Sequence, residues 1–173
     1  MKNILVVGLG YVGLSMALLL SKKSNVIGID NDSIIISKLQ KKISPLNEQL
    51  IQDYLNNSDI KFDTVFDKKT LKEVNFVIIA TPTNYNTETE YFDTSSVEKV
   101  IQNVMQHQLN IPIIIKSTIP IGFTEKQNLK FESSNIMFSP EFLREGRALE
   151  DNLNPSRIIV SNNNENASEF GNL

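Results

Sequence analysis

The sequence predicts an α/β protein built as a single domain, a Rossmann-like, doubly wound parallel sheet. Short apolar runs rich in β-branched residues alternate with segments of helical periodicity, which is typical of a parallel sheet covered by helices on both faces. A Gly-x-Gly-x-x-Gly turn also separates the first apolar run from the first helix, and an acidic residue ends the second run. The length of 173 residues suits one domain with a core of useful size.

The chain opens with a strand, a glycine turn, a helix and a second strand. Ile4–Val7 predicts a buried strand, and the turn Gly8–Gly13 follows it directly. Apolar residues then recur at helical spacing over 14–20. The second strand, Val26–Ile29, ends at Asp30. The sequence therefore predicts a compact βαβ unit that carries an acid at the end of its second strand.

The glycine turn and the acid together fit a dinucleotide. Gly8 permits a tight turn, Gly10 lets a pyrophosphate approach the backbone, and Gly13 lets the helix pack close to the strand. The helix N-terminus offers free N–H groups and a partial positive charge to the phosphates. Asp30 lies 20 residues beyond Gly10, where a carboxylate can accept both ribose hydroxyls of an adenosine. An ordinary βαβ turn without a ligand is the weaker alternative.

The rest of the chain continues the alternation of strands and helices. The patterns predict a helix from Asp32 or Ser33 to about Lys42 with Ile35, Ile36 and Leu39 buried, a helix over 46–55, a short strand over 60–64, a strand over 75–80 and a polar loop over 84–90. Ser95-x-x-Glu98 predicts a capping box for a helix with Val97, Val100, Ile101, Val104 and Met105 on its buried face. A strand over 112–116, a helix over 124–131, a strand over 135–138, a helix over 141–149 and a last strand over 156–161 follow.

Composition narrows the class of protein. The net charge of −3 gives no electrostatic footprint for nucleic acid, and no apolar run reaches the roughly 18 residues of a membrane span. The first strand begins too early to leave room for a signal peptide, so we expect a cytoplasmic protein. The absence of cysteine excludes disulfides, thiolate metal sites and thiol nucleophiles from this chain. The single histidine, His107, lies in a polar stretch and is expected on the surface.

Four polar segments follow predicted strands, and a parallel sheet would bring them to one edge. They are the glycine turn, Thr81–Thr83, Lys116–Pro120 and Ser139–Glu145. Ligands of such sheets bind beyond the carboxyl ends of the strands. Each segment alone is as well explained as a strand-terminating loop, but their convergence favours a site.

Five motifs occur in order along the chain. They are Gly8-x-Gly10-Tyr11-Val12-Gly13-Leu14-Ser15, Ala80-Thr81-Pro82-Thr83-Asn84-Tyr85, Lys116-Ser117-Thr118-Ile119-Pro120-Ile121-Gly122, Ser139-Pro140-Glu141-Phe142-Leu143-Arg144-Glu145-Gly146 and Asp151-Asn152-Leu153-x-Pro155-Ser156-Arg157. Together they resemble the N-terminal, NAD-binding domain of the UDP-glucose/GDP-mannose dehydrogenase family, from residue 1 to about 161. The second and fourth motifs favour the bacterial UDP-glucose members over the UDP-N-acetylmannosamine or GDP-mannose members.

The resemblance implies an NAD-dependent enzyme that oxidises the sugar 6-hydroxyl of UDP-glucose twice and gives UDP-glucuronate. It implies cofactor contacts from Gly8, Gly10, Tyr11, Val12, Gly13, Asp30, Thr83, Thr118 and Glu145. It implies that Thr118 helps to hold a catalytic water, that Glu141 takes part in general-base work, and that Glu145 lies between nicotinamide and substrate. The implied substrate-binding residues are Glu141, Phe142, Leu143, Arg144 and Glu145. No metal is implied, and the full-length family forms homodimers.

The residue types support these roles independently of the resemblance. Removal of a hydride needs a base for the hydroxyl proton, and a carboxylate or a water oriented by threonine can supply one. Glu141 and Glu145 are four residues apart, so on a helix they would share a face. The alternative is a solvated helical turn in which Glu145 only pairs with a lysine or arginine.

The sequence departs from the family pattern in two respects. Ile35 stands where the family commonly has a basic residue beyond the ribose acid, so one cofactor contact is expected to be missing. The family's central helix, second domain and catalytic cysteine are not found in these 173 residues. We therefore assign residues 1–161 to the NAD-binding domain and the polar tail 162–173 to the start of the next helix, and we expect the chain alone to be inactive.

Three interpretations remain open at this point. The chain is the cofactor part of a UDP-glucose dehydrogenase, the same part of a related nucleotide-sugar dehydrogenase, or an NAD-binding module without catalysis.

Overall fold

A computed structural model of the chain describes residues 1–87, 91–107, 110–162 and 164–173. Its strands are β1 (Asn3–Val7), β2 (Asn25–Ile29), β3 (Lys61–Asp63), β4 (Phe76–Ile79), β5 (Asn84–Asn86), β6 (Tyr91–Asp93), β7 (Ile113–Ile115) and β8 (Ile136–Phe138). Its helices are α1 (Tyr11–Leu20), α2 (Ser33–Gln40), α3 (Gln49–Asn56), α4 (Lys68–Glu73), α5 (Ser95–His107), α6 (Phe123–Lys130), α7 (Ala148–Leu153) and α8 (Glu165–Gly171).

Six strands form one parallel sheet in the order β3-β2-β1-β4-β7-β8, as the fold class predicted. The central strand β1 pairs with β2 on one side, Ile4 opposite Val26, and with β4 on the other, Ile4 opposite Phe76. The direction of winding reverses between β1 and β4. This reversal opens the sheet at the carboxyl ends of its strands, which is where ligands of doubly wound sheets bind.

The core lies on both faces of this sheet. In β1, Ile4 and Val6 belong to one buried cluster, whereas Leu5 and Val7 belong to the other. Both faces of the strand are therefore covered, which explains why the sequence reads as a continuous apolar run instead of an alternating one.

The helices predicted before residue 140 are present, with differences at their ends. Asp32 caps α2 by accepting from the N–H of Ile34 at 2.8 Å. The helix predicted over 46–55 corresponds to α3, which begins at Gln49 instead of Leu46. The sequence patterns did not predict α4. The capping box at Ser95 is replaced by another arrangement, because the Ser95 N–H donates to Asp93 Oδ1 at 3.0 Å and the Thr94 hydroxyl donates to Glu98 at 2.8 Å.

The predicted polar loop over 84–90 is wrong for its first half. Asn84–Asn86 is a strand that pairs antiparallel with Tyr91–Asp93, and Tyr85 packs on Phe92 with ring centroids 5.0 Å apart. Residues 88–90 of the predicted loop lie outside the described residues. This hairpin is a separate two-stranded sheet whose described side chains are mostly exposed, so it left no periodic apolar signal in the sequence.

Two predicted elements near the end of the chain are also wrong. The helix over 141–149 is absent, and α7 begins only at Ala148. Residues 156–161 do not form a strand. The Ser161 N–H donates to the Phe138 carbonyl at 2.7 Å, but the Phe138 N–H is taken by the Ser161 hydroxyl, also at 2.7 Å. A side chain thus replaces the backbone acceptor that a regular ladder would need.

The polar tail forms α8 and packs on the core. Ala167 and Phe170 are buried, and the Phe170 ring lies 6.2 Å from that of Phe76. Lys2 pairs with Glu169 at the surface. His107 ends α5 with an exposed side chain, as predicted. No helix in the described ranges is both long enough and apolar enough to cross a membrane.

Candidate functional site

An open cleft of about 920 Å³ lies at the carboxyl edge of the sheet. Residues that follow all six strands line it, from Gly8 after β1 to Glu141 after β8. Of the residues predicted to form the site, Gly8, Gly10, Tyr11, Val12, Asp30, Thr83, Thr118 and Glu141 line this cleft. Gly13 lies behind the glycine turn, and Phe142, Leu143, Arg144 and Glu145 line other surfaces. The four predicted segments therefore converge, although the last of them contributes only its first part.

Steric contacts divide the three glycines into two kinds. Gly8 has a φ of +91°, and a Cβ on Gly13 would lie 1.7 Å from the Gly8 carbonyl oxygen. Backbone closes both positions, because a Cβ on Gly8 would lie 2.5 Å from the Ala80 carbonyl oxygen after β4, and α1 packs directly on the glycine turn at Gly13. A Cβ on Gly10, by contrast, would meet no atom within 4 Å. Gly10 is thus free of the fold's own constraints and faces the open cleft.

The N-terminus of α1 also faces this cleft. The helix starts after Gly10 without a side-chain cap and without an acid in its first turn. Its first N–H groups and the positive end of its dipole therefore remain for an anion. A pyrophosphate fits this surface, since it could accept hydrogen bonds from these N–H groups and would meet no Cβ at Gly10.

Asp30 is held rigidly at the end of β2. Its Oδ2 accepts from the Leu9 N–H at 2.8 Å, and its Oδ1 accepts from the Asp32 N–H at 2.9 Å. The glycine turn and the start of α2 thus orient the carboxylate from both sides. Each oxygen keeps a second lone pair, so the group can still accept hydroxyl protons from a ligand. Ile35, where the sequence predicts a missing cofactor contact, lines the same cleft.

Hydroxyl groups tie the loops after β4 and β7 together. The Ser117 hydroxyl donates to the Thr81 carbonyl at 2.6 Å, and the Ser96 hydroxyl donates to the Pro82 carbonyl at 2.8 Å. The loops that carry Thr83 and Thr118 are therefore fixed to each other and to α5. The Thr118 side chain is exposed in the cleft and available to a ligand or water.

Lys116 and Glu141 form a buried ion pair at the inner wall of the cleft. Lys116 Nζ lies 3.5 Å from Glu141 Oε2, and the two side chains are 6% and 15% exposed. Burial raises the pKa of Glu141 to about 7, and the Lys116 charge opposes that rise. Burial also lowers the pKa of Lys116 below its usual range, with Glu141 acting in the opposite direction. A carboxyl group that titrates near neutral pH is suited to accept and return a proton.

The prediction that Glu141 and Glu145 share a helical face is wrong. Residues 140–147 are not helical, and Gly146 has a φ of +78° that a helix cannot accommodate. Arg144 is drawn towards α7 by Asp151, which accepts from its side chain at 2.5 Å and from its backbone N–H at 2.9 Å. Glu145 is consequently exposed and lines neither the cleft nor the neighbouring cavity.

A second cavity of about 300 Å³ adjoins the cleft. Phe142, Leu143 and Arg144 line it, together with residues from α1, α7 and α8. Lys116 and Glu141 border both spaces. Three of the predicted substrate-binding residues thus surround a cavity separated from the cleft by the ion pair.

Sequence reasoning missed the contacts that hold this region in place. Glu48 is 8% exposed, and its carboxylate accepts from the N–H groups of Ala148 at 2.9 Å and Leu149 at 3.0 Å. Asn152 donates to the Ser15 hydroxyl at 2.8 Å and anchors α7 on α1. Glu48 lies 100 residues before its partner, and no local pattern signals such a contact. Lys116 itself was visible only as the first residue of a polar segment directly after an all-isoleucine strand, and the structure adds that it is buried.

Comparisons with known proteins agree with this geometry. Residues 2–172 match the family described as "UDP-glucose/GDP-mannose dehydrogenase family, NAD binding domain". A UDP-glucose 6-dehydrogenase of Streptococcus pneumoniae is 43% identical over 91% of this chain and 40% of its own length. One from Campylobacter jejuni is 40% identical over 99% of this chain and 44% of its own. The structure of a UDP-glucose dehydrogenase from Pyrobaculum islandicum superposes with a TM-score of 0.86 at 26% identity, covering 98% of this chain and 43% of the other. The chain thus spans less than half the length of each of these relatives.

Proposed function

This chain belongs to the UDP-glucose/GDP-mannose dehydrogenase family as its NAD-binding domain, and we propose that it is the cofactor half of a UDP-glucose 6-dehydrogenase. The reaction converts UDP-glucose, two NAD and water to UDP-glucuronate and two NADH. The similarity to two UDP-glucose 6-dehydrogenases at 40–43% identity supports UDP-glucose over other nucleotide sugars. Because these metabolites belong to the cytoplasm, we propose that location as well.

The observation that carries the proposal is the cleft between the glycine turn and Asp30. Gly10 and the uncapped start of α1 would hold the pyrophosphate, and Asp30 would accept the adenosine ribose hydroxyls. Bound NAD would supply the hydride acceptor. A 2′-phosphate would meet the fixed carboxylate of Asp30, and the basic side chains lining the described part of the cleft are Lys99 and Lys116, not arginines.

The chain's own groups would handle the proton and the water. Thr118 would orient a water in the cleft, and Thr83 would contact the cofactor beside it. Glu141 would take up the proton that leaves the sugar hydroxyl or the attacking water, because its carboxyl titrates near neutral pH. Phe142, Leu143 and Arg144 would form the sugar-nucleotide side of the wall, and Glu145 would join them only when a substrate or another part of the protein covers the loop.

Cofactor choice tests the proposal directly. We expect NAD(H) to bind more tightly than NADP(H), measured by calorimetry or NADH fluorescence. Asp30→Ala should weaken NAD(H) by about tenfold, which corresponds to about 1.4 kcal/mol, and should narrow the gap to NADP(H). Asp59→Ala, an exposed acid on the opposite edge of the sheet, is the matched control. Equal or tighter binding of NADP(H) by the unaltered chain would refute the assignment of Asp30.

A turnover assay tests the remainder. Purified chain mixed with NAD and UDP-glucose should yield no sustained NADH absorbance, because the family's acid-forming step uses a thiol and this chain has none. A full-length relative provides the positive control. Production of two NADH per sugar by the chain alone would overturn the proposal that it supplies only the cofactor half of the enzyme. Tighter binding of UDP-N-acetylmannosamine or GDP-mannose than of UDP-glucose would favour the related-enzyme alternative.

A further inference from the structure

Lys116 occupies a rigid position at the centre of the carboxyl edge. It follows β7 directly, and its N–H donates to the Ile79 carbonyl of β4 at 2.7 Å. On the other side, β7 pairs with β8 so that Ile115 lies opposite Phe138. The residues that follow these two strands therefore lie side by side at the same edge. They are Lys116 and Ser139. Strands on both sides fix the Lys116 backbone, and the stem has little freedom to move because the side chain is buried.

The ammonium group lies between two partners from the loop after β8. Nζ is 3.4 Å from Ser139 Oγ and 3.5 Å from Glu141 Oε2. Glu141 Oε2 is buried and has no hydrogen-bond partner among the described residues. At 3.5 Å the contact is an ion pair rather than a good hydrogen bond. The carboxylate is thus attracted by the ammonium, but one oxygen keeps its hydrogen-bonding capacity.

The pair forms the wall between two spaces. Lys116 and Glu141 are the residues shared by the cofactor cleft and the second cavity in the described chain. A change in the charge of Glu141 would therefore act on ligands in both. A buried carboxylate is costly unless an opposite charge compensates it, and Lys116 supplies that charge.

We infer that Lys116 is a positioning residue, which holds the Glu141 side chain in place in the wall between the two cavities and keeps it a carboxylate able to accept a proton. The inference deepens the proposed function. It rests on that function only for the role of Glu141 as the group that takes up a proton. It assigns no direct contact between Lys116 and a substrate.

Other titratable groups line the two spaces without acting on the Glu141 pKa. On the side of the second cavity these are Arg144, Asp151 and Arg157, of which Arg144 and Asp151 pair with each other. Arg157 stacks on the Phe142 ring at 4.8 Å. On the side of the cleft they are Tyr11, Asp30, Asp32 and Lys99. The physical causes of the raised Glu141 pKa are its burial and, opposing it, Lys116 alone.

The titration of Glu141 tests this inference in the chain as it is. Side-chain carboxyl ¹³C shifts followed against pH report the pKa of Glu141 without any need for turnover. Lys116→Met keeps the length of the stem and removes the charge, and it should raise the pKa of Glu141 by about one pH unit or more. Lys116→Arg keeps the charge and should leave the pKa near its original value. Lys99→Met removes a charge from the same cleft and should leave the Glu141 titration unchanged.

A reciprocal measurement covers the case in which Lys116→Met fails to fold. In Glu141→Gln the pKa of Lys116, read from its side-chain ¹⁵N shift, should fall further, because coupling between two sites is mutual. An unchanged Glu141 titration in Lys116→Met, an arginine variant that behaves like the methionine variant, or an unchanged Lys116 titration in Glu141→Gln would each overturn the inference. Failure of NAD binding in the unaltered chain would sink the proposed function but would leave these titrations intact.

Discussion

Glu48→Ala should destabilise this protein more than its position in a loop before α3 suggests. Glu48 does not cap its own helix with its side chain. Its carboxylate instead accepts from the N–H groups of Ala148 and Leu149, the first two residues of α7. Those N–H groups have no intrahelical partner, because they open the helix. One side chain thus satisfies two buried donors from an element 100 residues away.

The expected magnitude follows from these two contacts. A hydrogen bond to a charged group contributes about 1.5–3 kcal/mol, and a buried donor left without a partner costs about 1–3 kcal/mol. Because the site is only 8% exposed, water cannot readily replace the carboxylate. We therefore expect Glu48→Ala to lower the free energy of unfolding by about 3 kcal/mol, out of a total of about 5–15 kcal/mol. Glu48→Gln keeps one acceptor oxygen and should lose about half as much.

Urea unfolding followed by circular dichroism measures the change, since a lower midpoint at constant slope reports lost stability. Hydrogen exchange at the amides of Ala148 and Leu149 gives a local readout, and both should lose protection. Glu169→Ala removes a partner from the surface pair with Lys2 and should cost less than about 1 kcal/mol. A Glu48→Ala variant no less stable than this control would refute the reasoning.

Two further predictions concern the glycine turn and pH. Gly13→Ala should lower the free energy of unfolding, measured in urea, by about 3 kcal/mol or more, because its Cβ would lie 1.7 Å from the Gly8 carbonyl oxygen. Gly10→Ala should change the free energy of unfolding by less than about 0.5 kcal/mol, and it should weaken NAD(H) binding at least tenfold. Equal stability of the two variants would contradict this division. The folded pKa of Glu141 is raised from 4.5 to about 7, so folded protein binds a proton between these values that unfolded protein does not. The free energy of unfolding relative to Glu141→Gln should therefore fall as pH rises from 4.5 to about 7, by up to about 3 kcal/mol, and a flat difference in urea midpoints across that window would exclude it.

The sequence by itself determined the sheet, the glycine turn and the place of Asp30. Strands buried on both faces must be apolar throughout, so runs such as Ile4–Val7 and 113–115 are visible without a structure. The βαβ unit is local, because its turn, helix and acid lie within about 30 residues of one another and their spacing alone places them. The order of the elements also predicted that the loops after the strands converge, because parallel strands end at the same edge of the sheet.

The tertiary structure alone decided the form of the loop after β8 and the pairing within it. Glu141 and Glu145 have helical spacing, yet Asp151 draws Arg144 towards α7 and Glu48 sets where α7 begins. The pairing of Lys116 with Glu141 likewise depends on the register of β7 against β8. Contacts between residues far apart in the chain leave no periodic pattern in the sequence. The hydrogen bonds of buried Glu48 nevertheless outweigh the weak local preference for helix, since a hydrogen bond to a charged group contributes about 1.5–3 kcal/mol and helix propensities differ by a few tenths of a kcal/mol per residue.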